Sequence, residues 1–192
     1  MRLNRFRRPL ALRAGVVAPL GAPPDHRVDG MELERRNVTM ADEQSQRDDI
    51  GTLNSLIETC RDGEHGFRTA AEDSQDARTR ALFESYSQQR AEFATELEGI
   101  VRRLGGDPAA TGHVAGALHR GWINLKAAVT GKDTQAVLNE AERGEDYAVR
   151  AYETALKSSL PSDVRLVVER QYLQVKEAHD HVRALRDAKV PR

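Results

Sequence analysis

Between residues 48 and 187 apolar side chains return every three or four positions, and no stretch alternates with period two for long enough to form a strand. That spacing gives each of four segments one apolar stripe and constrains the chain to an all-α architecture. The first helix, about 48–73, carries Leu53, Ile57, Cys60, Glu64, Phe67 and Ala71 along one face. The second, about 77–104, presents Leu82, Tyr86, Gln89, Phe93, Leu97, Ile100 and Leu104. The third, about 134–158, shows Val137, Leu138, Ala141, Glu145, Ala148, Tyr152, Ala155 and Leu156. The fourth, about 162–187, has the cleanest heptad: Val164, Val168, Gln171, Val175, Ala178, Val182 and Leu185.

The connections dictate how such helices pair. Ser74-Gln75-Asp76 and Leu160-Pro161-Ser162 are short polar turns, with Ser162 a candidate N-cap, so each pair forms an antiparallel hairpin. Gly105-Gly106-Asp107-Pro108 stops the second helix, because Gly suits a C-cap and Pro cannot continue a helix. The 28 residues from Gly105 to Lys132 are long enough to run the length of a bundle. Within them Leu118, Trp122, Leu125 and Val129 recur at helical steps, so a short amphipathic helix is expected there, with Trp122 packed. His113, His119, Arg120 and Lys126 read as solvated neighbours of that tryptophan.

Residues 1–39 differ in kind. They hold eight Arg, no Lys, four acidic residues and Pro9, Pro19, Pro23 and Pro24, without a sustained hydrophobic period, and are expected to be disordered or to precede the true start at Met31 or Met40. Arg13 and Pro19 interrupt what would otherwise be a leader's apolar region. From Met40 the folded domain, 40–192, has 21 basic and 26 acidic residues, a net charge of −5. That balance argues against a nucleic-acid partner, no run approaches the roughly 20 apolar residues of a membrane span, and one Cys closes no intrachain disulfide. A cytoplasmic setting is expected.

Each hairpin also places polar residues on its apolar stripe. Gly63-Glu64 aligns with Gly144-Glu145 at a shift of 81 residues, and counting along the helices brings both glutamates to one depth, near Gln89 and Gln171. The expected buried polar layer is therefore Glu64, Gln89, Glu145 and Gln171, with two Glu–Gln pairs that fix helix register. Di-iron bundles use such a layer, taking one Glu from each of two helices and Glu-x-x-His from each of the others. Here the second motif is missing: the chain reads Gln89-Arg-Ala-Glu92 and Gln171-Tyr-Leu-Gln174, and neutral amides replace charged ligands poorly. Glu64, Glu92, Glu145 and His179 are the weak ligand candidates if iron or manganese binds. His179 and His181 point about 200° apart on a helix, so they do not grip one ion together. Cys60, on an apolar stripe with no histidine beside it, reads as a buried inert thiol. Neither a phosphate-binding loop nor a nucleophile elbow is present, and no catalytic residue is assigned.

Leu104-Gly-Gly-Asp-Pro108, Gly116-Ala-Leu-His-Arg-Gly-Trp122, Glu142-Arg-Gly-Glu-Asp146 and the run Gln171 to His181 resemble bacterial ferritin-like four-helix-bundle proteins of unknown function, over about 45–187. The resemblance implies a ferritin-like bundle of two antiparallel hairpins joined by a long crossover, and a bacterial cytoplasmic setting. It supplies no activity or ligand set. The resulting expectation is a non-enzymatic bundle without a cofactor that acts through a protein partner or homo-oligomer, with a stress role by kinship alone. The alternative is a metal-binding protein with an atypical ligand set.

Overall fold

A computed structural model describes residues 26–109 and 134–189. The expected crossover helix with Trp122, and residues 1–25, lie outside the described residues. Among the described residues there are four helices: α1 (His26–Asp73), α2 (Ala77–Arg103), α3 (Thr134–Ala155) and α4 (Ser162–Lys189). Among the described residues there is no strand. Contacts divide the chain into two compact units, Met1–Val38 and Thr39–Arg192.

The α1 helix begins at His26, well before the expected 48. Residues 26–39 were expected to lack order, but the last of the four early prolines is Pro24, and none follows until Pro108. Side chains 31–48 are all exposed, so this run lacks the burial that marks a stripe in a sequence.

Local chemistry sets the remaining boundaries. The Asp76 carboxylate accepts from the Thr79 N–H at 2.9 Å and from its hydroxyl at 2.7 Å, capping α2. At the other end Gly105 adopts φ +74°, which lets the Gly106 N–H reach the Val101 carbonyl and its own N–H reach that of Arg102, both at 3.0 Å. Ser162 is the first residue of α4, and the Pro161 carbonyl accepts the Arg165 N–H at 2.8 Å, so the cap falls one residue before the expected one. The Arg165 guanidinium also donates to the carbonyls of Leu156 and Ser158, each at 2.7 Å, closing the end of α3.

Cross-helix bonds fix the register. Ser87 donates to the Glu64 carbonyl at 2.8 Å, and Tyr172 and Glu153 meet at 3.1 Å, so both hairpins are antiparallel. The buried apolar residues form two clusters. The larger contains Leu53, Ile57, Phe93, Leu97, Tyr152 and Val168, and the smaller contains Phe67, Ala70, Phe83, Leu138, Ala141 and Val182. Along α1 the boundary falls between Cys60 and Phe67, along α2 between Phe83 and Phe93, and along α3 between Ala141 and Ala148. Since side chains 31–48 are all exposed, a chain starting at Met40 is expected to keep its cooperative thermal unfolding, with Tm within about 2 °C of the full chain by circular dichroism.

Candidate functional site

The gap between the two apolar clusters is filled by charge. Arg90 leaves α2 toward the bundle axis and is 1% exposed; Glu145 of α3 is likewise 1% exposed. The Arg90 Nη2 donates to the Glu145 carboxylate at 2.6 Å, and Nη1 donates to the Gln89 side-chain oxygen at 2.6 Å. The guanidinium carbon lies 5.9 Å from the Phe67 ring centroid and 5.6 Å from that of Phe93, within cation–π range of both. Its Nε, fully buried, has no hydrogen-bond partner. On the α1 side the arginine passes over Gly63: a Cβ there would stand 3.1 Å from Arg90 Cγ, closer than ordinary contact. Glycine at 63 is what admits the arginine stem.

A second buried polar chain begins one turn away. The Cys60 Sγ lies 3.1 Å from the Tyr152 hydroxyl, which donates to the Gln171 side-chain oxygen at 2.7 Å. Gln171, fully buried, donates in turn to Glu96 at 2.8 Å, and Glu96 meets Arg170 at the surface. Because the phenol proton is committed to Gln171, the thiol is the donor in the first bond. Burial pushes the Cys60 thiol up to about 11, with the Arg90 charge acting in the opposite direction, and burial also carries the Tyr152 phenol well above its ordinary range. Burial raises the Glu145 carboxyl too, while the charge and hydrogen bond of Arg90 act in the opposite direction.

The expected layer is thus rearranged. Glu145 and Gln171 are buried, but Glu64 is a rim residue, 13% exposed, bonded to Arg61 at 2.9 Å and to Arg68. Burial alone would raise the Glu64 carboxyl, yet its hydrogen bonds to Arg61 and Arg68 outweigh that and hold it below the ordinary value. Its own helix supplies two arginines, so the carboxylate turns to them and leaves the axis to Gly63. Gln89 is half-buried and donates to Gln174 at 3.3 Å. The expected Glu–Gln pairs do not form; each glutamate is matched by arginine. Sequence reading missed Arg90, since the stripe was drawn through Gln89, one residue and about 100° away. The signal available was Gly63, a small residue on an apolar face opposite a long one.

The weak ligand candidates go to different partners. Glu92 is exposed and accepts from Gln88 at 3.0 Å. His179 sets its two ring nitrogens 3.0 Å from Asp146 and 3.0 Å from Asp180, so both are engaged, and His181 meets the Tyr86 hydroxyl at 2.9 Å. Among the described residues, no group of three or more His, Cys, Asp or Glu side chains is placed to hold a metal ion. The donor set at mid-height does not fit a divalent cation, because the one axial carboxylate already faces a guanidinium.

Arg90→Met is expected to cost about 3–5 kcal/mol by leaving the Glu145 charge unpaired, whereas Arg90→Met with Glu145→Leu recovers most of it in urea denaturation. The sign of the pH dependence follows from the raised Glu145 pKa: stability carried by its neutral form is complete below 4.5 and is lost as pH rises through the elevated value. The deficit of Arg90→Met should therefore narrow at acid pH. Cys60 is expected to resist alkylation at about pH 8 until the protein unfolds, read by mass spectrometry across a denaturant series.

No curated protein matches this chain. A solved structure of a Dps1 mutant from Mycobacterium smegmatis is similar to it, with a TM-score of 0.60 and 12% identity, over 74% of this chain and 97% of that one. At such low identity the likeness shows the shared fold, an all-α ferritin-like four-helix bundle. The model of a domain of unknown function, DUF2383, matches residues 48–158, more than half of the chain. The chain belongs to the DUF2383 family.

Proposed function

We propose that this protein is a non-enzymatic ferritin-like bundle whose work is done by its surface, through a protein partner or a second copy. The observation that carries the reading is the buried Arg90–Glu145 pair at 2.6 Å. A ferritin-like bundle that uses metal needs anionic oxygens and imidazole nitrogens converging on the axis. Here the axial carboxylate is neutralised by a cation belonging to the chain itself, and Glu64 and His179 are engaged by Arg61, Arg68, Asp146 and Asp180. The buried thiol and phenol support the same reading: burial holds both protonated at neutral pH, where neither is a nucleophile or a base.

A surface groove of about 490 Å³ between α1 and α3 carries no assembled chemistry either: its Thr52, Ser55, Thr59 and Thr154 hydroxyls donate to carbonyls of their own helices, and that of Ser158 donates to the Ala155 carbonyl at the end of α3. The domain assignment belongs to this proposal as well: residues 40–192 form the acting unit, and 1–39 are dispensable to it.

Metal analysis of protein purified without chelators should give well under one iron or manganese per chain. Added ferrous iron or manganese should leave Tm unchanged, since an ion that binds only the native state raises it. A stoichiometric ion with a metal-dependent melting shift would overturn the reading.

A further inference from the structure

We infer that the bundle is built to open in two stages, parting at the Arg90–Glu145 layer, so that the end containing Phe67 and Phe83 unfolds while the other end stays folded. Three observations converge on this. First, the core is divided: Phe67, Ala70, Ala71, Phe83, Val137, Leu138, Ala141 and Val182 form a cluster separate from the larger one around Leu53, Leu97, Tyr152 and Val168. Opening the smaller end therefore breaks few contacts within the larger.

Second, the divide is charged. In a continuous apolar core each further turn that opens exposes more apolar surface, and no stopping point is preferred. Here an opening that reaches the layer returns two buried charges to water and gives the orphaned Arg90 Nε a partner. Recovered hydration makes that depth a resting place for a partial opening.

Third, the helix interior is weak at this level. Gly63 and Gly66 of α1 and Gly144 of α3 are buried glycines flanking the layer, and glycine has the lowest helix propensity short of proline. The geometry thus defines a small unit of α1 from 64, α2 up to 89, α3 up to 144 and α4 from 178, set against the rest of the bundle.

The inference stands apart from the proposed surface function and can fail without it. Its test is native-state hydrogen exchange on the full chain, resolved by peptide, across low denaturant concentrations. Amides around 67–73, 79–87, 136–142 and 180–186 should exchange as one group, at least about tenfold faster than those around 53–60, 94–101, 148–155 and 164–175. Arg90→Met with Glu145→Leu, which makes the layer apolar, should bring the two groups together. Equal protection of both halves in the unmodified protein would overturn the inference. So would a double variant that is folded by circular dichroism yet keeps the two groups as far apart as before.

Discussion

The rest of this structure is organised around one buried ion pair. Arg90 and Glu145 face each other at 2.6 Å, both 1% exposed, in the gap between two apolar clusters. Taking two charges out of water costs several kcal/mol each, so their neighbours must be arranged for them. Phe67 and Phe93 lie within cation–π range of the guanidinium, Gln89 takes a second N–H, and Gly63 leaves space for the stem. The pair specifies register more than it adds stability: α2 and α3 cannot slide by a turn without stranding a charge in hydrocarbon.

Much of the fold was legible in the sequence because its signals are local. The α4 stripe is the clearest case: Val164, Val168, Gln171, Val175, Ala178 and Val182, spaced by threes and fours, are all buried. Turn chemistry was equally readable at Gly105, where the left-handed backbone demands glycine. The beginning of α1 was not legible, because an exposed helix has no reason to repeat an apolar period and residues 31–48 are exposed on all sides.

The polar core was only half legible, and for a geometric reason. A stripe drawn through steps of three and four has a width of more than one residue, so neighbours such as Gln89 and Arg90, or Gly63 and Glu64, compete for the same inward direction. The sequence favours the smaller and less charged member of the first pair, and the structure turns the arginine inward because a counter-charge waits on α3 and a glycine on α1. Such a choice depends on three helices at once. A single-helix pattern cannot contain it, although a glycine at mid-stripe is a trace of it.

The Cys60 contact has a consequence for assembly. The chain has a single sulfhydryl, and it is 1% exposed with its proton given to Tyr152. Oxidants that link exposed thiols between molecules find nothing to act on in the native fold. Association of native chains therefore does not run through a disulfide at Cys60, and the redox state of the surroundings has no direct hold on it.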